Sequence, residues 1–351
     1  MKVSPNERID AVNIGLIFLS GIMAMVIPFE LFLFSYAVLG PLHYLTEISW
    51  LHDKKYFTKG KYDAVYMAVI CLCLTIIFLN GFYHYEIDIP PTMQSNLTWI
   101  ALMLAVLFVS VKSTMYRILG MLAILISVAI SNMDSVIIYL TVFLPTLIHV
   151  YFFTGLFMLY GALKSKSKLG LISVLCFVLC PVLLVTLFPD TPFYPVTNYG
   201  MNAYTGGTAG LGFSQLHIEI MNRFMGQNVM AHTAEEARDM WYNIIFHSQA
   251  GIVIARLIAF AYTYHYLNWF SKTRVIQWHK VPKGRFAVVI AGWIASVSLY
   301  LVDYTVGLVW LFFLSILHVL LELPLNVTSV IGIWRSFRNN RSDKQPIAAK
   351  G

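Results

Sequence analysis

Charged residues are scarce in this chain. Asp, Glu, Lys and Arg make up 12% of its 351 residues, whereas a soluble domain carries about 25%. Hydrophobic residues make up 58% of the chain, and the mean hydropathy is +0.71. So few charges exclude a soluble globular domain. Because backbone groups inside a bilayer must be hydrogen-bonded within the protein, the composition predicts an all-α polytopic membrane protein.

Cysteine is rare as well. All four cysteines lie in apolar runs, where thiols usually serve as small core residues. A disulfide framework is therefore not expected, although Cys176 and Cys180 share one helix face. The polar segment 1–10 is not followed by a small-residue cleavage site, so no removable signal peptide is predicted. The net charge of +7 arises in short loops and does not indicate nucleic acid as a partner.

Nine apolar runs are long enough to cross a bilayer, which takes about 20 residues. They cover roughly residues 12–47, 63–83, 97–112, 115–131, 135–163, 168–188, 242–270, 286–303 and 305–333. The first run is too long for one simple crossing. It predicts either one long tilted helix kinked at Pro28, or two spans that meet near Pro28 and Glu30 and raise the number to ten.

The loops between these runs alternate in charge. Basic residues follow the first, third, fifth, seventh and last runs, and acidic residues occupy intervening loops. This positive-inside pattern predicts a cytoplasmic C-terminus. The basic set is Lys54, Lys55, Lys59, Lys61, Lys112, Arg117, Lys164, Lys166, Lys168, Lys272, Arg274, Lys280, Lys283, Arg285, Arg335, Arg338 and Arg341, and the acidic set is Glu86, Asp88, Asp134, Asp190 and Asp303.

The chain is predicted to form one transmembrane domain over residues 1–335. Residues 189–241 form a long connection on the outer side, which we expect to cap a cavity through an amphipathic helix from Gln215 to Trp241. Residues 336–351 are polar and are predicted to form a disordered cytoplasmic tail.

One short phrase occurs twice inside the apolar runs. Residues 42–47 and 317–322 both read L-H-x-L-x-E. Positions i and i+4 lie on one helix face, so His43 with Glu47, and His318 with Glu322, are predicted to project the same way. Burying either group in hydrocarbon is costly unless it is paired or bound to a metal. The repeated phrase therefore predicts a functional polar site.

Three further histidines lie in the apolar runs. At about 1.5 Å per residue, His149 and His318 lie about 22 Å from the nearest outer charge, near the bilayer middle, and His43 lies deeper toward the cytoplasm. His265 is nearer the inner surface, and His247 is at the outer end of the same span. These last two are about 27 Å apart along a helix, so they cannot both bind one ion.

Imidazole is the commonest metal-ligating side chain, and its second nitrogen usually donates to a carboxylate or carbonyl. We therefore predict a metal site, with interhelical hydrogen bonding as the alternative role for these side chains. The predicted ligands are His43, His149, His265 and His318, with His247 as the alternate to His265. Glu47 and Glu322 are predicted to orient the ligands, and direct ligation by them stays open.

At these residues the chain resembles the Brp/Blh family of bacterial membrane-bound β-carotene dioxygenases. The first phrase, Gly40-Pro41-Leu42-His43-x3-Glu47, looks like the early histidine phrase of that family, and Leu147-Ile148-His149 looks like the second. The span with His247 and His265 is similar to the third, and Ile316-Leu317-His318-x3-Glu322 to the fourth. The chain departs from the pattern in three ways: Glu replaces Asp in the outer phrases, no acid follows His149, and the third span lacks closely spaced histidines.

The resemblance implies a helical bundle in a bacterial plasma membrane that encloses a ferrous iron held by the histidines. A lipophilic polyene would enter from the bilayer, and dioxygen would be activated at open iron positions to cleave a double bond. Apart from the resemblance, an all-imidazole site suits Fe, Zn or Cu. The sequence leaves the oligomeric state open.

Two other functions fit the same residues. A b-type haem protein would need two histidines at matched depth, for which His149 and His318 are the candidates. A transporter would use the histidines with Glu47, Glu322 and Arg256 as a proton relay; inverted repeats would favour it, and the doubled phrase is the one repeat we find. A di-iron hydroxylase is disfavoured because the sequence has no clustered histidine box.

Overall fold

Long apolar helices make up most of the chain described by the computed structural model, which covers residues 5–130, 136–186, 196–205, 213–226 and 242–342. Nine helices within these ranges are long and apolar enough to cross a membrane. One more apolar helix, Thr114–Ile130, has 17 residues, the lower end of the length that spans a bilayer. No strand occurs in the described residues. The prediction of an all-α polytopic membrane protein is confirmed.

The helices are numbered along the chain as follows. They are α1 (Pro5–Val26), α2 (Pro28–Phe34), α3 (Gly40–Asp53), α4 (Asp63–Tyr83), α5 (Met93–Ser110), α6 (Thr114–Ile130), α7 (Thr154–Ser165), α8 (Lys168–Thr186), α9 (Asn198–Thr205), α10 (Ser214–Phe224), α11 (Gln249–Ser271), α12 (Thr273–Ile276), α13 (Lys283–Val302) and α14 (Tyr304–Ser342). Two π-helical segments, Ser35–Leu39 and Tyr139–Phe153, lead directly into α3 and α7. Residues 242–247 are helical and precede α11.

The first predicted span is two helices. The backbone leaves helical geometry at Ile27, with φ −135° and ψ 59°, directly before Pro28. Proline has no N–H to continue a helical hydrogen-bond ladder, so the break falls where the sequence analysis placed a kink or a junction. Both resulting segments, Glu7–Val26 and Pro28–Asp53, are long enough to cross a membrane.

The chain reverses direction at this break. Near the start of α1, Asn13 accepts a hydrogen bond from Ser271 at the end of α11. Phe29, just after the break, packs against Phe246, which precedes α11, with ring centroids 4.8 Å apart. From there α2 and α3 return alongside α11, and Thr46 lies beside its last turn. The two-span alternative is therefore the observed one, and the single tilted helix is not.

Loops rich in basic residues meet at one end of the bundle, which we call the basic end. Arg117 pairs with Asp63 at 2.8 Å, and Arg285 pairs with Asp53 at 2.7 Å. Lys59 donates to the last carbonyl of α5. The alternating charge pattern thus corresponds to a real grouping in space, and the assignment of this end to the cytoplasm stays a prediction. Asp134 and Asp190, two of the acidic markers, lie outside the described residues.

Helix α11 lies at the centre of the bundle. In its most apolar 18-residue window 83% of the residues are buried, against 17% for α13. It packs against α1, α2, α8 and the π-helical segment before α7. A helix in such a position is expected to be apolar on every side. The polar residues along α11 are therefore buried and require hydrogen-bond partners or a ligand.

Helices α9 and α10 cover the end of the bundle opposite the basic end. Tyr204 of α9 packs edge-on against Phe29, with ring centroids 5.1 Å apart, and its hydroxyl bonds His217 Nδ1 of α10 at 3.0 Å. Burial lowers the pKa of His217 to about 3, so its imidazole is neutral. The predicted amphipathic helix from Gln215 is present up to Phe224.

Residues 189–195, 206–212 and 227–241 of the predicted capping segment lie outside the described residues. At the C-terminus, α14 continues to Ser342. Residues 336–342, which the sequence analysis assigned to a disordered tail, therefore extend the last helix. Residues 343–351 lie outside the described residues.

Candidate metal centre

Four helical segments each bring one buried histidine to the same point. His43 comes from α3, His149 from the π-helical segment before α7, His265 from α11 and His318 from α14. None of the four is more than 6% exposed. These are the four predicted ligands, and the structure brings all of them together.

Irregular backbone precedes the first two histidines. The π-helical Ser35–Leu39 enters α3, whose first turn contains Pro41. The longer segment Tyr139–Phe153 contains Pro145 and a non-helical Thr146, with φ −113° and ψ −106°. Proline removes a backbone donor, and π-helical turns, which shift side-chain register, are frequent at functional sites. The histidine positions therefore depend on backbone detail as well as on helix periodicity.

The imidazole nitrogens approach one another closely. His43 Nε2 lies 3.0 Å from His265 Nε2, and His149 Nε2 lies 3.1 Å from His318 Nε2. One nitrogen each of His43, His149 and His318 lies within 4.8 Å of the others. The ring centroids of His149 and His265 are 4.9 Å apart, so the two pairs form one cluster.

These separations suit ligands of a single ion. Two nitrogens bound at about 2.1 Å are about 3.0 Å apart when they subtend a right angle, and about 3.4 Å apart at the tetrahedral angle. Donor sets of imidazole, with or without carboxylate, suit Fe, Zn and Cu. His43, His149 and His318, whose nitrogens all lie within 4.8 Å of one another, can therefore hold a divalent transition metal, with His265 next to His43. The geometry does not choose among these ions.

Glu47 stands beside its own histidine, as the repeated phrase predicts. Its Oε2 atom lies 3.0 Å from His43 Nε2, and both side chains are 2% exposed. This contact does not have hydrogen-bond geometry, and the same is true of the contact between Glu322 and His149 described next. Oε2 of each glutamate lacks a hydrogen-bond partner.

Glu322 contacts a histidine of another helix. Its Oε2 lies 3.1 Å from Nδ1 of His149 on another helix, with both side chains 1% exposed. His318, four residues before Glu322, instead places its Nδ1 3.3 Å from the carbonyl oxygen of Leu314. Glu322 and His318 thus both face the cluster, as the repeated phrase predicts, and Glu322 contacts the histidine of another helix there. Glu322 therefore places a carboxylate beside His149 from a different helix.

The orphaned atoms make the cluster costly without a cation. The Nδ1 atoms of His43 and His149 also lack hydrogen-bond partners. A buried polar atom without a partner costs about 1–3 kcal/mol, and Glu47 and Glu322, which line the same cavity, repel each other when both are ionised. A divalent cation would balance both carboxylates, so the residues present fit a metal ion.

Two further groups hold the imidazoles in place, and sequence reasoning missed them. Thr154 Oγ1 lies 2.7 Å from His265 Nδ1. The ring of Tyr44 stacks on His318 at 4.1 Å, and its hydroxyl bonds that of Tyr266 at 2.8 Å. Both tyrosines directly follow a cluster histidine in the chain, a signal that could have identified them. Thr154 carries no comparable signal because its role depends on packing.

His247 lies away from the cluster. It is exposed, and its ring packs against Tyr242 with centroids 5.2 Å apart. Between the two alternates of the sequence analysis, the structure places His265 at the site.

Two cavities meet at the histidines. The far cavity, about 470 Å³ in volume, is lined by His149, His265 and His318 and extends to Phe78 and Phe213, away from the basic end. Its described lining includes no Asp, Glu, Lys or Arg. Its volume falls within the range of about 300–1,000 Å³ found for ligand pockets. It can take an uncharged ligand and place it against the histidines.

The basic-end cavity lies on the other side of the cluster. It measures about 580 Å³ and is lined by His43, Glu47, His265 and Glu322, and it extends to Lys272. His265 lines both cavities. The candidate metal centre is thus accessible from two directions.

Comparisons of the chain with protein-family models, with curated proteins and with solved structures found no match.

Proposed function

We propose that this protein is a membrane-embedded non-haem iron oxygenase that cleaves or oxidises a lipophilic polyene such as a carotenoid. The observation that carries this proposal is the convergence of four buried histidines whose Nε2 atoms lie 3.0 and 3.1 Å apart in two pairs. His43, His149, His265 and His318 would hold the ion. The choice of iron and of a polyene, and a bacterial plasma membrane as location, rest on the sequence resemblance stated above.

The roles of the other residues follow from their contacts. Both glutamates balance the charge of the ion. Glu322 lies at Nδ1 of His149 and orients that ring from behind, whereas Glu47 lies at the Nε2 of His43 that faces the cluster, where it would itself be in reach of the ion. Thr154 fixes the ring of His265. The far cavity holds the uncharged part of the substrate, which arrives from the lipid bilayer. When bound, the ion would supply the activation of dioxygen, and the buried site keeps water from reactive species.

Elemental analysis of the purified full-length protein tests the metal site. We expect iron at about one per chain, and loss of most of it in His43→Ala and His318→Ala. His247→Ala is the matched control, because that histidine is exposed and remote from the cluster. A folded protein free of metal, or unchanged iron in both cluster variants, would overturn the proposal.

Activity in cells tests the substrate. Expression in a host that accumulates β-carotene should bleach the pigment and yield retinal, and His318→Ala should abolish both effects. If the protein binds iron but leaves the pigment unchanged, the proposed metal site stands and β-carotene is ruled out as the substrate.

One observation favours a transporter as the second candidate. Cavities reach the His and Glu cluster from opposite sides of the bundle, as a relay of protons or ions would require. Elemental analysis separates the two functions, because the relay needs no bound transition metal. Haem is a weaker candidate: two axial nitrogens on one haem iron would be about 4 Å apart with the porphyrin between them, whereas His149 and His318 are 3.1 Å apart.

A further inference from the structure

The basic-end cavity has an arrangement that the proposed metal chemistry does not use. Three helices line it with polar residues repeated along one face. Helix α11 presents His265, Asn268 and Lys272 at successive turns, positions i, i+3 and i+7, which lie on the same face. At about 1.5 Å per residue, this face runs about 10 Å from the candidate metal centre to the basic end.

The other two helices repeat the pattern. Helix α3 lines the cavity with His43, Glu47 and Trp50, and α14 lines it with Glu322 and Ser329. On α3 these residues occupy positions i, i+4 and i+7, and on α14 they occupy positions i and i+7, so each row starts at the cluster and runs along one helix face toward the basic end.

Several buried polar atoms along these rows lack hydrogen-bond partners. They are Asn268 Oδ1, Trp50 Nε1 and Ser329 Oγ. Asn268 is 6% exposed and Ser329 is fully buried. Because a buried polar group without a partner is costly, these atoms indicate that the cavity accommodates a polar group of a ligand. Trp50 Nε1 and Ser329 Oγ can donate to an anionic group, whereas Asn268 Oδ1 only accepts, so Asn268 would contact such a group through its side-chain N–H.

The charges of this cavity are divided between its two ends. Glu47 and Glu322 lie at the metal end, and Lys164, Lys272 and Asp10 lie at the basic end. Asp10 also accepts a hydrogen bond from Ser167 at 2.5 Å. The half-buried Lys272 has its pKa lowered to about 8 by burial, which nearby Asp10 partly offsets. An anion at the basic end would be attracted by the lysines, whereas one at the metal end would be repelled by the glutamates.

The remainder of the lining is apolar. It includes Ile9, Phe157, Met158, Ile276 and Leu325. A small water-soluble acid would leave these side chains uncovered, whereas a hydrocarbon chain attached to the acid would cover them. The far cavity, which also reaches His265, offers space without charged side chains for the chain to continue past the cluster.

We infer that the basic-end cavity binds the carboxylate end of a long-chain, amphiphilic ligand, with Lys272 and Asn268 at the head group and the hydrocarbon directed toward the histidine cluster. The substrates of the proposed oxygenase would then include polyene or acyl chains that end in a carboxylate, in addition to uncharged polyenes such as β-carotene. Only the statement about the reaction rests on the proposed function. The binding of the ligand does not, because it depends on residues other than the candidate metal ligands.

Photo-crosslinking of the purified full-length protein tests it. The probe is a palmitic acid analogue with a diazirine in mid-chain, and the labelled peptides are identified by mass spectrometry. We expect saturable labelling of α3, α11 or α14 peptides that line the cavity. Palmitate should compete with the probe, and methyl palmitate, which lacks the charge, should not. Hexanoate, a short acid, should also fail to compete.

Variants connect the labelling with the proposed contacts. Lys272→Met should weaken probe binding at least tenfold, and Lys272→Arg should retain it. Lys168→Met is the matched control, because Lys168 is an exposed lysine at the same end of the bundle. Equal competition by palmitate and its methyl ester, unaffected labelling in Lys272→Met, or labelling confined to lipid-exposed surfaces would each overturn the inference. Competition by hexanoate as strong as that by palmitate would reject the hydrocarbon part.

The same measurement after removal of metal with a chelator separates this inference from the proposed function. Probe binding that persists in metal-free protein supports the carboxylate site whatever the elemental analysis finds. A protein that contains iron and yet shows no competition by palmitate would retain the metal centre and reject the carboxylate site.

Discussion

Replacement of Glu322 by glutamine separates the contribution of this carboxylate to metal binding from its contribution to folding. Oε2 of Glu322 lies 3.1 Å from His149 Nδ1, and both side chains are 1% exposed. Glutamine keeps the shape of the side chain and removes the charge. The substitution therefore changes the electrostatics of the site with little change in packing.

The two effects of Glu322→Gln are expected to have opposite signs. Loss of an outer-shell carboxylate behind a ligating histidine typically lowers metal affinity about 10–100-fold, which corresponds to about 1.4–2.8 kcal/mol. Without metal, the buried carboxylate of Glu322 is uncompensated and close to Glu47, so its neutralisation should not destabilise the protein and is expected to raise its melting temperature.

Chelator competition and thermal unfolding in detergent measure these two quantities on the same sample. Glu219→Gln is the matched control, because Glu219 pairs with the neighbouring Arg223 on α10 and is remote from the histidine cluster. Loss of metal as complete as in His43→Ala would identify Glu322 as a direct ligand. Unchanged affinity, or a metal-free protein that melts well below the parent, would refute the reasoning.

Three further predictions concern a hydrogen bond, an ion pair and the topology. Thr154→Val removes the hydrogen bond to His265 and should lower metal affinity about tenfold, as measured by the same chelator competition; equal affinity would show that Thr154 does not orient the ring. Asp63→Asn breaks a buried ion pair with the arginine on α6 and should cost about 3 kcal/mol of stability, seen as a lower melting temperature with unchanged metal content. In intact cells, a membrane-impermeant thiol reagent should label Asp303→Cys and not Lys61→Cys, and the reverse pattern would invert the predicted topology.

Local sequence was sufficient to predict the helices and to identify most residues of the candidate site. Hydropathy located the apolar runs, because length and apolar character decide whether a segment can cross a bilayer. It did not decide whether residues 12–47 form one helix or two. That outcome depended on Pro28, whose missing N–H permits a kink or a complete reversal, and on the packing of α1 and α2 against α11.

Residue type identified the four histidines, and counting along helices misjudged their depth. His265 lies six residues before the end of α11, which suggested a position near the inner surface. The π-helical segment and the kink at Thr146 displace His149 from the position that a regular helix would give it. Depth counting assumes straight helices normal to the membrane, and these helices are neither regular throughout nor equal in length.

The sequence by itself determined that this is a helical membrane protein with histidines and glutamates buried at high cost, because composition and i, i+4 spacing are local properties of the chain. Tertiary structure alone decided the partners: Glu322 contacts His149 rather than His318, Thr154 contacts His265, and two cavities meet at the cluster. Such contacts join residues more than a hundred positions apart, and no periodicity within one helix specifies which faces of different helices will meet.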